Sequence, residues 1–141
     1  MKPECIFCNL IRNDSANWVA VEEHAVAFEP LREDLLAPGH TLVIPRTHRE
    51  GLFGSSESEF AAVMHLVRRV GAAMRSELRS TGTFLIQASG PDSGGTVPHL
   101  HFHVVPCWAD DNADFWPKER SAHIVDDNPY DAIRSAMRAA R

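Results

Sequence analysis

Residues 94–106 read GGTVPHLHFHVVP, and this stretch decides how the chain is interpreted. It places His99, His101 and His103 at every second position, with apolar residues between them. Successive side chains of a β-strand point to opposite faces of a sheet. The pattern therefore predicts a strand with three imidazoles on one face and a hydrophobic core face on the other.

Three explanations of the imidazole row are open at this point. The row could be a polar face by coincidence, although three adjacent imidazoles cannot all be protonated. It could be a catalytic metal site, because three histidines can hold one zinc and leave a position for water. It could also serve nucleophilic catalysis, in which a neutral histidine attacks phosphorus and forms a phosphoramidate that water cleaves. The loop SGPDSGGT at 89–96 can turn backbone N–H groups toward an anion, which favours phosphate chemistry.

Composition limits the class of protein. The 141 residues correspond to one domain, and 44% of them are hydrophobic. A net charge of −5 argues against general electrostatic binding to nucleic acid or to an anionic membrane. No segment approaches the roughly 18 apolar residues of a membrane span, and the N-terminus lacks an export signal. We therefore expect a cytoplasmic protein that binds neither nucleic acid nor membrane.

The three cysteines do not suggest a disulfide framework, since their number is odd and no export signal is present. Cys5 and Cys8 form a Cys-x-x-Cys motif. By itself this motif is compatible with a redox site, a metal site or two buried thiols.

Periodicity predicts the remaining elements. Alternation and apolar runs indicate four further strands, at 18–22, 25–29, 40–45 and 82–89. Ser56 and Glu59 form a capping box before a long apolar stripe that extends to Leu78. A short helix or turn is expected at 5–12, and a helix after the N-cap Asn128. The order predicts an α+β fold, with a mostly antiparallel sheet of about five strands and one long helix across it.

The segment HLHFHVVP resembles the His-φ-His-φ-His-φ-φ signature (φ, apolar) of the histidine triad (HIT) superfamily of nucleotide hydrolases and transferases. CIFCNLI near the start, PGHTLVIPRTH in the middle and the long helix between the strand blocks also lie where HIT proteins place such segments. The resemblance covers residues 5–106. It implies one HIT-like domain over 1–141, with a variable C-terminal tail at 107–141.

The resemblance also implies catalytic roles. In proteins of this kind the middle histidine, His101, attacks the α-phosphorus of a nucleoside phosphate derivative and carries the nucleotidyl group. A backbone carbonyl could hold the tautomer that this attack requires. His103 would donate to a non-bridging oxygen, the Thr96 hydroxyl could relay a proton to the leaving group, and His99 completes the triad.

A purine nucleotide such as AMP is the implied partner. Its expected contacts are the side chains of Glu29, Ser89 and His103 and the backbone from Gly94 to Val97, which includes Gly95 and Thr96. Many HIT enzymes carry Gln at the position of Gly95, and Asn where this chain has Ala88 and Ser89. Both differences remove side-chain donors. The alternative function is therefore a zinc-stabilised nucleotide-binding or scaffold protein with negligible turnover.

The resemblance to zinc-containing, bacterial-type HIT proteins implies a structural zinc site. Its ligands would be Cys5, Cys8, His48 and His99, and two thiolates with two imidazoles form a closed tetrahedral set. Such a site would use His99 and so disfavour the three-histidine catalytic metal.

HIT proteins are typically homodimers, built on the long helix and the adjacent strand, and we expect a homodimer here. An open sheet edge gives a physical reason for pairing. His40 is interpreted as a structural residue at the start of its strand.

Overall fold

A computed structural model describes residues 1–140 of the chain. It contains three α-helices and five strands, in the order α1 (Ile6–Asn13), β1 (Trp18–Val21), β2 (Ala25–Phe28), β3 (Thr41–Pro45), α2 (Glu57–Leu78), β4 (Gly82–Ile86), β5 (Phe102–Cys107) and α3 (Pro129–Ala139). Single 3₁₀ turns lie at Arg32–Asp34 and Leu52–Gly54. Within residues 1–140, no helix is long and apolar enough to cross a membrane.

The five strands form one sheet in the spatial order β1-β2-β3-β5-β4, and every neighbouring pair is antiparallel. This confirms the predicted α+β class. His103 on β5 lies opposite Leu42 of β3 on one side and Ile86 of β4 on the other. The end of the histidine row is thereby held in the interior of the sheet rather than at an edge.

Helix α2 begins where the capping box predicts. The Ser56 hydroxyl oxygen accepts the Glu59 backbone N–H at 3.2 Å. The Glu59 carboxylate accepts a hydrogen bond from the Ser56 hydroxyl at 3.0 Å. In a standard capping box it would instead accept from the Ser56 backbone N–H. The Arg49 guanidinium also donates to both oxygens of this carboxylate, at 2.8 Å each. This pair fixes the segment after β3 to the first turn of α2.

Each face of the sheet carries its own hydrophobic core. One core lies under α2, and its buried members are Ala25, Ala27, Val43, Val63, Leu66, Val67, Val70, Met74, Leu100, Phe102 and Val104. The other lies under α1 and contains Cys5, Phe7, Cys8, Val26, Phe28, Leu42 and Ile44. The apolar residues between the triad histidines therefore face α2, as the alternation predicts.

The predicted triad strand is shorter in the structure. Strand β5 begins only at Phe102, so His99 lies in a bend and His101 directly precedes the strand. The Leu100 N–H donates to the Arg49 carbonyl at 2.6 Å, and the His99 N–H donates to the Val97 carbonyl at 2.9 Å. These bonds draw the segment away from the sheet ladder. The carbonyl of His99 becomes available to a side chain as a result.

The C-terminal tail makes few contacts with the sheet. The Trp108 indole N–H donates to the Leu78 carbonyl at the end of α2, at 3.0 Å. Phe115 and Trp116 pack against Phe84 of β4, with centroid separations of 5.2 and 5.7 Å. Asn128 caps α3 as predicted, through a 2.9 Å bond from the Tyr130 N–H, but no residue of α3 is buried. The extent of the domain over 1–141 stays a prediction.

Candidate active site and metal centre

The ring of His101 is held in one tautomer by the backbone. Its Nδ1 lies 2.7 Å from the carbonyl oxygen of His99, and His101 is 7% exposed. Because a carbonyl oxygen can only accept, Nδ1 must carry the proton. In the neutral ring Nε2 then keeps its lone pair, which is the form that a nucleophile needs.

His103 is oriented by a second histidine, His40, which sequence analysis interpreted as structural. The Leu36 backbone N–H donates to His40 Nδ1 at 3.1 Å, so the proton of neutral His40 lies on Nε2. That Nε2–H donates to His103 Nδ1 at 2.9 Å. The remaining proton of neutral His103 is therefore on its own Nε2, where it can be donated to a ligand.

Burial keeps these rings neutral. Burial, together with the neighbouring His101 and His40, lowers the pKa of His103 to about 4. Burial also lowers the pKa of His40. Uncharged His40 and His103 rings at neutral pH supply lone pairs and N–H donors without mutual repulsion.

The sequence contains a weak signal for the role of His40. It directly precedes the buried run of β3, and antiparallel β3 and β5 place it opposite the end of the triad. Only the β3–β5 pairing, which a single sequence does not specify, identifies its partner.

Cys5, Cys8, His48 and His99 form one cluster, in which all four candidate ligand atoms lie within 4.8 Å of one another. The His48 Nδ1 is 3.3 Å from Cys8 Sγ, and the His99 Nδ1 is 3.4 Å from Cys5 Sγ and 3.6 Å from Cys8 Sγ. Tetrahedral zinc with thiolate and imidazole ligands places sulfur and nitrogen about 3.5 Å apart. The donor set and its spacing therefore fit a zinc ion.

The outer nitrogens of both imidazoles have hydrogen-bond acceptors. His99 Nε2 donates to the Pro45 carbonyl at 3.0 Å, and His48 Nε2 donates to the Glu50 carboxylate at 3.4 Å. Lys2 in turn donates to Glu50 at 2.6 Å. Both Nδ1 lone pairs are thus directed at the thiols, the arrangement that orients histidine ligands in metal sites.

Helix α1 connects the metal cluster to the triad. It carries Cys8, and Cys5 is its N-cap. The ring of Phe7 packs edge-on against His99 at 5.8 Å and against His101 at 5.3 Å between centroids. A shift of α1 would therefore move the wall behind the triad.

A cleft of about 370 Å³ opens beside the triad. Its lining includes Glu50, Gly51 and five of the predicted site residues, namely Ser89, Gly95, Thr96, Val97 and His99. Glu29, Gly94, His101 and His103 are not part of this lining. Glu29 is exposed at the end of β2, where its backbone N–H donates to the Asn17 carbonyl.

Ser89 has a structural function beside its predicted contact with substrate. Its hydroxyl oxygen accepts the Leu52 N–H at 2.8 Å and the Gln87 amide at 2.7 Å. A serine hydroxyl has two lone pairs and one proton, so its proton stays available to a ligand in the cleft. Gly51 allows this approach, because a Cβ there would lie 2.7 Å from Ser89 Oγ.

Gly95 lies against the backbone. A Cβ at this position would be 3.0 Å from the carbonyl oxygen of Ala88. A longer side chain at 95 would therefore require a shift of residue 88, so the two departures from the HIT pattern are neighbours in space.

Comparisons with known proteins agree with this architecture. The HIT domain family model matches residues 12–109. An uncharacterized HIT-like protein of Saccharolobus solfataricus is 34% identical over 137 residues, covering 94% of each chain. The adenosine 5'-monophosphoramidase hnt1 of Schizosaccharomyces pombe is 30% identical over 102 residues, which is 72% of this chain and 73% of the relative.

Solved structures give the same result. A HIT family protein from Bacillus anthracis aligns with a TM-score of 0.82 at 26% identity, covering 100% of this chain and 99% of that one. A Zn-bound histidine triad family protein from Mycobacterium smegmatis aligns with a TM-score of 0.73 at 25% identity, covering 98% of each. Fold and site thus define a histidine triad protein with a Cys₂His₂ cluster. The chain belongs to the HIT family.

Proposed function

We propose that this protein cleaves a phosphoanhydride, phosphoramidate or related bond at the α-phosphate of a purine nucleotide such as an AMP derivative, as a hydrolase or nucleotidyl transferase. The observation that carries the proposal is the 2.7 Å contact between His101 Nδ1 and the His99 carbonyl, because it leaves Nε2 unprotonated. The name of the Schizosaccharomyces pombe relative, an adenosine 5'-monophosphoramidase, supports the substrate class.

In this mechanism His101 Nε2 attacks the α-phosphorus, a nitrogen–phosphorus bond forms, and the bond to the leaving group breaks. His103 donates its Nε2–H to a non-bridging oxygen and so stabilises the developing charge. The leaving group takes a proton through the hydroxyl of Thr96, which lines the cleft. A water oxygen then forms a bond to phosphorus while the bond between phosphorus and His101 Nε2 breaks. The proton lost by this water leaves through the Thr96 hydroxyl, and the nucleoside monophosphate is released from neutral His101.

The expected cofactor is a structural zinc held by Cys5, Cys8, His48 and His99. Such an ion supplies a fixed crosslink between α1, the segment after β3 and the first triad histidine. The chain itself keeps Nδ1 of His99 and of His48 unprotonated and directed at the thiols. It does so because Nε2 of His99 donates to the Pro45 carbonyl and Nε2 of His48 donates to Glu50.

A second candidate function is nucleotide binding with negligible turnover. It is favoured by one observation: Gly95 packs against the Ala88 carbonyl, and neither residue has a side-chain donor. Around Gly95 and Ala88, the hydrogen-bonding groups of the cleft are therefore the backbone and the hydroxyls of Ser89 and Thr96.

The test is His101→Ala, assayed with adenosine phosphoramidates and dinucleoside polyphosphates. We expect kcat/KM to fall by roughly 10³-fold or more, because the covalent route is removed. Acid-quenched wild-type protein should carry a mass increment of one nucleoside monophosphate on His101. The matched control is His65→Ala on the exposed side of α2. Equal turnover by His101→Ala and wild type would disprove the mechanism. AMP binding without turnover of any substrate would support the second candidate.

We also propose that the protein is a homodimer. The supporting observation is the edge strand β4, whose Leu85 is 45% exposed. Unpaired edges favour association. Sedimentation that detects only a 15.7 kDa species would contradict it.

A further inference from the structure

The cleft beside the triad carries one ionised side chain among its lining residues, the carboxylate of Glu50. The other polar side chains of the lining are the hydroxyls of Ser89 and Thr96 and the ring of His99. No lysine or arginine among residues 1–140 lines the cleft. The ring of His99 directs Nε2 to the Pro45 carbonyl and Nδ1 to the thiols, so it offers the cleft no free donor. A leaving group made of several phosphates would therefore meet a negative charge here, with no cationic side chain to offset it.

One oxygen of the Glu50 carboxylate is free. Lys2 Nζ donates to Oε1 at 2.6 Å, and His48 Nε2 donates to the same oxygen at 3.4 Å. Oε2 accepts no hydrogen bond from any of residues 1–140, and the Glu50 side chain is 54% exposed. The Lys2 side chain is 49% exposed and does not line the cleft, so it offsets the carboxylate only in part. Oε2 is thus available to accept from an ammonium group in the cleft.

The two ends of the triad have different surroundings. His103 is joined through His40 to the backbone of Leu36, whose apolar side chain is 46% exposed. At the other end, His99 and Thr96 line the polar cleft. The flat faces of a purine base are apolar and match the end that carries Leu36. Since Thr96 is the residue from which the leaving group takes its proton in the proposed mechanism, the leaving group occupies the cleft that contains the carboxylate.

We propose that Glu50 is a specificity-determining residue that selects nucleotide substrates whose leaving group carries a positive charge, such as the phosphoramidate of a diamine. One nitrogen of the diamine is bonded to the α-phosphorus, and the other is an ammonium group that donates to Oε2 of Glu50. The same carboxylate repels polyphosphate leaving groups. The inference rests on the proposed function and adds no chemical step to it: the phosphorus–nitrogen bond breaks, and the leaving nitrogen takes the proton that passes through Thr96.

The first experiment compares three substrates: the adenosine phosphoramidate of a linear diamine, that of the uncharged alkylamine of equal length, and a diadenosine polyphosphate. For wild type at low salt, kcat/KM should be about fivefold or more higher for the diamine compound than for the alkylamine compound. Glu50→Gln removes the charge but keeps an oxygen that can accept from His48, and it should make the two values similar and raise the relative turnover of the polyphosphate. The matched control is Glu57→Gln, the same change of charge at an exposed position outside the lining, which should keep the wild-type ratio.

Each ratio is measured on one protein, so any loss of zinc or stability in Glu50→Gln affects both phosphoramidates and cancels. Equal wild-type values for the two phosphoramidates, or a wild-type ratio retained in Glu50→Gln, would overturn the inference. Absence of turnover with all three substrates would instead disprove the proposed function. Charge selection is then read from binding, as the ratio of the Kd values of the two phosphoramidates by calorimetry on wild type and Glu50→Gln. Equal Kd values for wild type would again overturn the role of Glu50.

The second experiment tests whether the selection is electrostatic. Lys2→Gln removes the cation that shares Oε1 of Glu50, so it should increase the preference for the diamine compound. Added salt should reduce the preference, because the screening length falls from about 10 Å at 0.1 M to about 3 Å at 1 M. A preference that changes neither in Lys2→Gln nor with salt would overturn the assignment to the carboxylate charge.

Discussion

The imidazole of His40 donates to Nδ1 of His103 over 2.9 Å, although 63 positions separate the two residues in the chain. His40 is itself held by the Leu36 N–H at 3.1 Å. This relay places the one proton of neutral His103 on the nitrogen that faces away from His40. His40 is therefore a positioning residue, since it acts through His103.

Replacing His40 by phenylalanine should lower kcat by about tenfold or more while changing KM little, because His103 loses the partner that selects its tautomer. His40→Gln retains an N–H donor and should recover part of the loss. Steady-state kinetics with an adenosine phosphoramidate provide the measurement, and His24→Ala, at an exposed turn, is the control. Equal kinetics for the phenylalanine and glutamine variants would contradict the positioning role.

Cys8 is completely buried within the metal cluster, whereas Cys107 lies outside it. Cys8→Ser should abolish stoichiometric zinc and lower Tm by more than about 5 °C, since loss of a structural metal removes stability directly. Cys107→Ser should keep both metal and Tm. Elemental analysis of protein purified without added metal, combined with calorimetry, makes the comparison. If wild-type protein purified without added metal contained no zinc and had the same Tm as protein supplied with zinc, a structural zinc would be excluded.

Acid should destabilise the fold through His103. Its pKa is about 4 in the folded protein against 6.5 when exposed, because burial, then His101 and His40, disfavour the charged ring. Between these two pKa values the unfolded chain binds more protons than the folded one. The contribution of His103 to the free energy of unfolding is therefore complete above pH 6.5 and is lost as the pH falls toward 4. For His40, burial lowers the pKa and the negative charge of Asp34 raises it by a smaller amount.

The measurement is the free energy of unfolding between pH 4.5 and 7, for wild type and for His103→Gln. The wild-type slope should be steeper by up to about 1.4 kcal/mol per pH unit. The metal ligands are the same in both proteins, so the difference between the slopes isolates His103. Parallel curves would show that His103 does not titrate in this window.

Gly51 should not tolerate a side chain. Its φ is +88°, and a Cβ would lie 2.7 Å from Ser89 Oγ, so Gly51→Ala combines backbone strain with a clash. We expect a loss of about 1–2 kcal/mol in unfolding free energy and weaker AMP binding in the adjoining cleft. Gly54→Ala is the matched control, since no atom lies within 4 Å of its Cβ position and its φ is not in the left-handed region. Equal stability of the two variants would contradict the contact between Gly51 and Ser89.

Much of the fold could be predicted because its determinants are local. Alternation and short apolar runs located β1, β2 and β3, and the Ser56 cap located the start of α2. The four residues of the expected zinc set were named from motif resemblance, and the structure brings their ligand atoms together. The length of the triad strand was overestimated, because the bond from Leu100 to the Arg49 carbonyl is a contact between distant segments.

Sequence alone determined the elements, the imidazole row and the family, because period-two and period-3.6 patterns and motif spacing lie within short windows of the chain. Only the tertiary structure decided the state of each ring: His101 by the His99 carbonyl, His103 by His40, and His99 by Pro45. It also decided that Ser89 holds Leu52 and that α3 lies away from its own sheet. The physical reason is that a tautomer depends on which donor or acceptor packs against the ring, and packing joins residues that the linear order keeps far apart.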